Sequence, residues 1–315
     1  MPLRARAVVA SYSMSIRSIL VLGGSGFLSG AVARLARERC DDVTVLTRGQ
    51  RPVPDGVAQL VADRNDAEGF HAAIVGADRS WDLVVDVICF SGEHALQDVA
   101  HFRDRARRLV LISTDFVYSP SRRRLFMSPE ADDPTDYTDA GYGGGKRAAE
   151  LVLQTADTGD MAWTVLRPGH IFGPGSQLGC LPHHARDPNL LAHLRAGEPI
   201  RLVGGGHFIQ HPIYVQDLAD IILRAAASGV ARDRIYNVAG PAAIESWRYY
   251  QIVADILGVP LEIEETPVAA YLAEHPDRAP FLCHRLYDTS SLHRDGLAPT
   301  TPIATALEHH VASLL

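Results

Sequence analysis

Short apolar runs alternate with amphipathic stretches along more than half of this chain. Ile19–Leu22, Val43–Thr47, Val57–Val61, Leu83–Ile88, Leu109–Ser113 and Ala162–Leu166 are short and rich in β-branched residues, so they predict strands. Leu83–Ile88 is a continuous apolar run broken only by Asp86, the form of a strand covered on both faces. Between the runs, apolar residues fall at helical spacing in Ala31–Arg37, Ala67–Val75, His94–Arg105 and Arg147–Leu153. This alternation predicts an α/β protein with a doubly wound parallel sheet and helices on both faces.

After Arg167-Pro168-Gly169 the alternation stops. Residues 171–187 read as a loop, and long loops in compact domains are often binding segments. A helix at Leu190–Arg195, a strand at Ile200–Val203, a helix at Val215–Leu223 and a strand at Arg234–Val238 follow. Helices are predicted around Trp247–Leu257, Val268–Glu274 and Ile303–Leu315. The resulting organisation is an extension over residues 1–14, a sheet domain from 15–170 plus 210–242, and a smaller lobe from 171–209 plus 243–315. Met14 is an alternative start to Met1, because Met14-Ser15-Ile16-Arg17 leads directly into the first strand.

Ligands of such sheets bind beyond the C-terminal strand ends. Those ends carry Gly23–Gly26, Thr47-Arg48, Asp63, the segment after Val87, and Ser113-Thr114-Asp115. In Gly23-Gly24-Ser25-Gly26-Phe27-Leu28 a strand runs through a glycine turn into a helix. Unpaired N–H groups at a helix start favour an anion, and Gly23 and Gly26 allow a pyrophosphate to approach the backbone. Tyr142 and Lys146 stand four apart at the head of another helix and share a face. A nearby ammonium lowers a phenol's pKa toward working pH, and the phenol can then exchange a proton with a carbonyl or alcohol oxygen. A hydroxyl such as Thr114 can share that oxygen. Gly143, Gly144 and Gly145 weaken the helix, which predicts backbone or ligand packed closely over that face.

Composition narrows the classes. The chain has 315 residues and a net charge of −7, so it carries no excess of cations for nucleic acid. Arg122-Arg123-Arg124 is the one dense basic run, in a Ser/Pro loop. No apolar run is long enough to span a membrane. Cys40, Cys89, Cys180 and Cys283 lie far apart, which predicts reduced thiols, no metal site and a cytoplasmic setting. His183-His184 lies in the binding loop, and His170, Gln210 and His211 are candidate substrate-lining groups.

Taken together, the chain resembles the extended short-chain dehydrogenase/reductase family, the sugar epimerase/dehydratase/reductase group. The resemblance rests on Gly23-Gly24-Ser25-Gly26-Phe27-Leu28, Ile112–Tyr118, Tyr142-x-x-x-Lys146, Arg167-Pro168-x-x-x-Phe172-Gly173-Pro174, His211–Ala219 and Tyr236–Gly240. Ser29 stands where the family has a third glycine. The resemblance implies a Rossmann-type cofactor domain and a C-terminal substrate lobe. It implies roles for Tyr142 as acid/base, Lys146 on the nicotinamide ribose, and Thr114, beside Asp115, on the reacting oxygen. It places Asp63 at the adenine and Pro168 near the nicotinamide, with Ser25, Phe27, Leu28 and Val87 lining the cofactor. Arg48, with Arg51 near it, replaces the acidic residue of NAD-specific members, so NADP(H) is favoured, with NAD(H) the other possibility. Phe116 replaces the glutamate of the sugar dehydratases, which disfavours elimination and puts an aromatic group at the substrate. The expected reaction is reduction of a ketone on a sugar-like or secondary-metabolite substrate. Epimerisation is the alternative, and a silent cofactor-binding or RNA-associated protein is another. A homodimer is common in the family. Arg186, Arg201 and Arg285 are candidate cations for a diphosphate.

Overall fold

The computed structural model describes residues 15–39, 42–120, 136–182 and 187–315. The extension predicted over residues 1–14, and with it the choice of start, lies outside them. So do Cys40, Arg122-Arg123-Arg124, His183, His184 and Arg186. In order, the chain forms β1 (Ser18–Leu22), α1 (Phe27–Arg39), β2 (Asp42–Thr47), β3 (Ala58–Val61), α2 (Ala67–Gly76), β4 (Trp81–Asp86), α3 (Gly92–Phe102) and β5 (Ala106–Ile112). It continues with α4 (Gly141–Thr155), β6 (Ala162–Pro168), β7 (Ile171–Phe172), α5 (Leu190–Ala196), β8 (Ile200–Val203), β9 (Ile209–Gln210), β10 (Ile213–Tyr214), α6 (Val215–Ala227) and β11 (Arg234–Val238). Then come β12 (Ile244–Glu245), α7 (Ser246–Leu257), β13 (Ile263–Thr266), α8 (Val268–Glu274), α9 (Ser290–Arg294) and α10 (Ile303–Ala312).

The central sheet has the order β11-β6-β5-β4-β1-β2-β3, and every pairing in it is parallel. Period-two alternation splits the strands between two cores. Ile19 and Val21 of β1 join Val32 of α1 and Ile221 of α6 on one face. Leu20 and Leu22 join Phe70 of α2 and Phe102 of α3 on the other. Both faces are covered at the inner strands, so β1 and the end of β5 read as apolar runs, while the edge strand β3 is mostly exposed. Strand succession reverses between β1 and β4, and a crevice opens there.

Several boundaries differ from the periodicity. β4 stops at Asp86 because its carboxylate turns back to accept the Ile88 N–H (2.7 Å) and pairs with Arg64. α1 begins at Phe27, directly off the glycine turn. The loop predicted over residues 171–187 contains β7, which pairs with β10. α9 carries too few residues to show a period.

Candidate active site

The turn between β1 and α1 is held by its glycines. Gly23 and Gly24 have φ of +112° and +102°, which L side chains rarely adopt. A Cβ on Gly24 would lie 2.5 Å from Val45. Gly26 N–H donates to Ser29 Oγ (3.1 Å), so the serine in the third glycine's place ties down the turn. Leu28 turns into the core, while Phe27 is half-buried and would meet a Cβ on Gly175 at 3.4 Å.

A cavity of about 290 Å³ opens over this turn, lined by Gly23, Ser25, Gly26, Arg48, Asp63 and His94 among others. Arg51 lines it too, beside the exposed Arg48. Asp63 accepts from the N–H and side-chain amide of Asn65 (2.9 and 3.0 Å). Val87 continues past β4 and donates to Leu22 O (3.3 Å). A helix N-terminus, glycines open to the cavity and polar groups at the ends of β2 and β3 fit the adenosine and diphosphate of a dinucleotide.

Beneath the cavity lies a buried charge cluster that the sequence did not announce. Arg64 pairs with Asp86 and with Asp98 (2.8 Å). Burial would raise Asp86, but the Arg64 guanidinium holds it below the usual carboxylate range. Burial and the Asp86 charge push Asp98 well above it. Burial also pushes the Cys89 thiol well up. Asp86, Cys89 and Asp98 bring ligand atoms within 4.8 Å of one another, but Arg64 already bridges the two carboxylates.

The reacting groups gather at the end of β5 and the start of α4. Thr114 Oγ1 accepts from Phe116 N (3.2 Å) and donates to Asp115 Oδ1 (3.4 Å). The Thr114 hydroxyl lies near enough to the Tyr142 phenol to hold its pKa down in part, although Tyr142 is 53% exposed. The three glycines behind Tyr142 are explained by backbone. A Cβ on Gly143 would lie 2.0 Å from Phe116 O, one on Gly144 2.2 Å from Asp139 C, and one on Gly145 2.3 Å from Phe90 O.

One expectation is corrected here. Lys146 does not lower the Tyr142 pKa. Its Nζ is buried (1% exposed), donates to Ile112 O (2.7 Å) and lies under the Phe90 ring at 4.8 Å. Burial pushes the Tyr142 phenol up, Thr114 offsets part of this, and the Asp115 charge adds to it. Lys146 itself is lowered by burial. Asp115, expected beside Thr114 at the reacting oxygen, is engaged by the protein itself. It is buried, accepts from Arg285 Nη1 (2.5 Å) and from the Tyr287 hydroxyl, and serves to position Thr114.

The candidate substrate groups divide. Phe116 packs edge-on to Tyr142 (6.3 Å) and to Phe281 (5.6 Å). Gln210 is wholly buried, and neither atom of its amide has a partner among the described residues. His211 has both nitrogens engaged, Nε2 with Gly240 O (2.9 Å) and Nδ1 with Tyr287 N (3.5 Å). Burial lowers its pKa, and both ring nitrogens are taken up within the protein. His170 is half-buried, and its carbonyl accepts from Ile213 N (2.9 Å). Pro168 closes β6 opposite Val238. Of the candidate diphosphate cations, Arg201 is exposed and pairs with Glu264 (2.9 Å), whereas Arg285 is buried at the site.

A second network missed by sequence reading holds this geometry. Glu150 accepts from Ser113 Oγ (2.5 Å), Arg147 Nη1 (3.0 Å), and Arg167 Nε and Nη2 (2.9 and 2.6 Å). Burial would raise Glu150, but Arg167 and these hydrogen bonds hold it below the usual range. Arg167 Nη1 then donates to the Tyr118 and Tyr137 hydroxyls (3.0 and 3.2 Å). The one signal available was charge at predicted sheet and helix interiors, where an ion must be paired.

Comparisons with known proteins agree with this arrangement. The model of the NAD dependent epimerase/dehydratase family matches residues 19–239. The dTDP-4-dehydro-6-deoxy-D-allose reductase of Streptomyces bikiniensis is 26% identical over 280 residues, 80% of this chain and 84% of that protein. The 2'-dehydrokanamycin reductase of Streptomyces kanamyceticus is 26% identical over 291 residues, 90% of this chain and 79% of that one. The structure of a UDP-N-acetylglucosamine 4-epimerase from Methanobrevibacter ruminantium M1, solved with UDP-N-acetylmuramic acid, matches with a TM-score of 0.75 at 18% identity. It covers 95% of this chain and 98% of that one, a likeness of fold. The chain therefore belongs to the NAD dependent epimerase/dehydratase family, and it is a nicotinamide-dinucleotide-dependent enzyme.

Proposed function

We propose that the protein is an NADP(H)-dependent reductase of a ketone on a sugar-like or secondary-metabolite substrate. The observation that carries this reading is the placement of Thr114 just past β5 and of Tyr142 in the first turn of α4, packed on Phe116 of the Thr114 turn, where burial pushes the phenol up. A protonated phenol is the form that donates. Thr114 holds the substrate oxygen, and Tyr142 gives it a proton as the carbonyl becomes an alcohol. The nicotinamide supplies the hydride when bound. Asp115 keeps Thr114 in place through its hydroxyl. The Glu150–Arg167 pair fixes α4 against β6, so Tyr142 stays in reach of Thr114. Gly23, Ser25 and Gly26 receive the diphosphate, and Asp63 meets the adenosine. In this structure Phe90 covers Lys146, so the ammonium reaches a ribose only when that ring turns aside. Residues 171–209 and 243–315 supply the substrate side. Two reductases of sugar-type substrates among the relatives support the substrate class.

NADP(H) is favoured by Arg48 and Arg51, two cations on the cavity wall just past β2. An arginine suits a 2′-phosphate through paired charge-assisted hydrogen bonds. Calorimetry with NADPH and NADH, on wild type and Arg48→Ala, tests this. Tighter NADPH binding that weakens at least tenfold in the variant supports the reading. Preference for NADH, or copurified NAD, overturns it and moves epimerisation to first place. Binding of neither dinucleotide overturns the enzyme reading.

A further inference from the structure

Arg285 is 1% exposed, and its guanidinium is only half used. Nη1 donates to Asp115, while Nε and Nη2 have no partner among the described residues. Nε–H and one Nη2–H lie along the same edge of the fork, at the spacing that receives two oxygens of a planar anion. The guanidinium itself stands beside the candidate reacting centre. The Arg285 guanidinium carbon stands 4.6 Å from the Phe116 ring, which packs against Tyr142. The Arg285 backbone N–H donates to Ile209 O (2.8 Å), next in the chain to Gln210 with its unpartnered, wholly buried amide. Buried donors are ordinarily satisfied, so two such side chains at adjoining backbone positions are a prepared receptor.

We propose that Arg285, assisted by Gln210, binds a carboxylate of the substrate a few bonds from the carbonyl that Thr114 and Tyr142 act on. The inference rests on the reading of those two residues as the reacting pair. Shape selects a carboxylate over a phosphate, because the two coplanar donors Nε–H and Nη2–H match its two oxygens. Asp115 pairs with Arg285, so the free edge receives an anion through its hydrogen bonds alone, and no second cation is there to hold a dianion. Arg285 therefore acts as a specificity residue, and the preferred substrate is a keto acid rather than a neutral ketone.

The test saturates wild-type protein with the dinucleotide it binds, then titrates benzoate and cyclohexanecarboxylate, their carboxamides, and methyl phosphate by calorimetry. Each acid is expected to bind at least tenfold more tightly than its amide. Arg285→Lys keeps a cation beside Asp115 but loses the forked edge, and is expected to erase that preference. Gln210→Leu is expected to weaken the acids severalfold and leave the amides unchanged. Equal affinity for acid and amide, no binding of either acid, or a preference that survives in Arg285→Lys overturns the proposal. Tighter binding of methyl phosphate than of both acids overturns the assignment to a carboxylate. Should Arg285→Lys fail to fold, the wild-type acid-to-amide ratio and Gln210→Leu decide. Dinucleotide binding without an acid preference removes this inference alone, whereas absence of dinucleotide binding removes the enzyme reading beneath it.

Discussion

Replacing Gly143 with alanine opposes two effects of known size. In an isolated helix the change stabilises by about 1 kcal/mol, because alanine has less backbone freedom to lose. Gly143 is in α4, so propensity alone predicts a gain. The packing predicts the reverse. The new Cβ would lie 2.0 Å from Phe116 O, 2.8 Å from Phe116 C and 2.9 Å from Thr138 Cγ2, against ordinary contact at 3.4 Å and beyond. Two of these atoms are backbone, so more than an ångström of relief must come from moving α4 or the Thr114–Phe116 turn. Overpacking of this kind costs about 1–3 kcal/mol, and we expect Gly143→Ala to be destabilised by that order in urea unfolding. The movement also parts Tyr142 from Thr114, so turnover should fall further than dinucleotide affinity. Gly76 is the control. It ends α2, has nothing within 4 Å of its Cβ position and lacks a positive φ. Gly76→Ala should be neutral or stabilising by up to about 1 kcal/mol. A Gly143→Ala protein that is as stable as wild type, or more so, would refute the close approach of α4 to the Phe116 backbone.

Tyr142→Phe should lower turnover by about 10²–10⁴-fold with dinucleotide affinity retained, since only the proton donor is removed. Because the phenol is pushed above its ordinary value near 10, the rate of reduction should stay level to about pH 9 and fall only where the acid form is lost. Glu150→Gln should destabilise by about 3–5 kcal/mol by leaving Arg167 buried and unpaired. The folded Glu150 pKa lies below the unfolded one near 4.3. Its contribution is therefore complete above about pH 4.3 and fades as pH drops through the folded value, so acid unfolding of wild type should approach that of the variant there. Of the described cysteines, Cys283 should react with a thiol reagent at pH 8, while Cys89 and Cys180 should label only on unfolding. Burial pushes Cys180 up to about 12 and Cys89 well above the usual thiol range.

Periodicity revealed the sheet because its inner strands are covered on both faces, and local apolar content is all that such a strand needs. The glycine turn was legible for the same reason, being a run of adjacent residues with one backbone purpose. Polar pairing was not legible. Asp115 finds Arg285 170 positions away, and Arg64 finds Asp86 and Asp98 across two helices and a strand. Nothing local in a sequence marks which carboxylate an arginine will meet. The spacing of Tyr142 and Lys146 put them on one helix face, as observed, but it could not show that the ammonium turns back to Ile112 O. The direction of the tyrosine shift depended on that, on burial and on the Asp115 charge.

The Asp115–Arg285 contact also imposes an order on synthesis. The cavity at the glycine turn is lined by residues between Gly23 and His94, all made early. The carboxylate beside the reacting threonine acquires its counter-charge only when Arg285 and Tyr287 emerge. The acid beside Thr114 is therefore balanced only in a chain made as far as Tyr287.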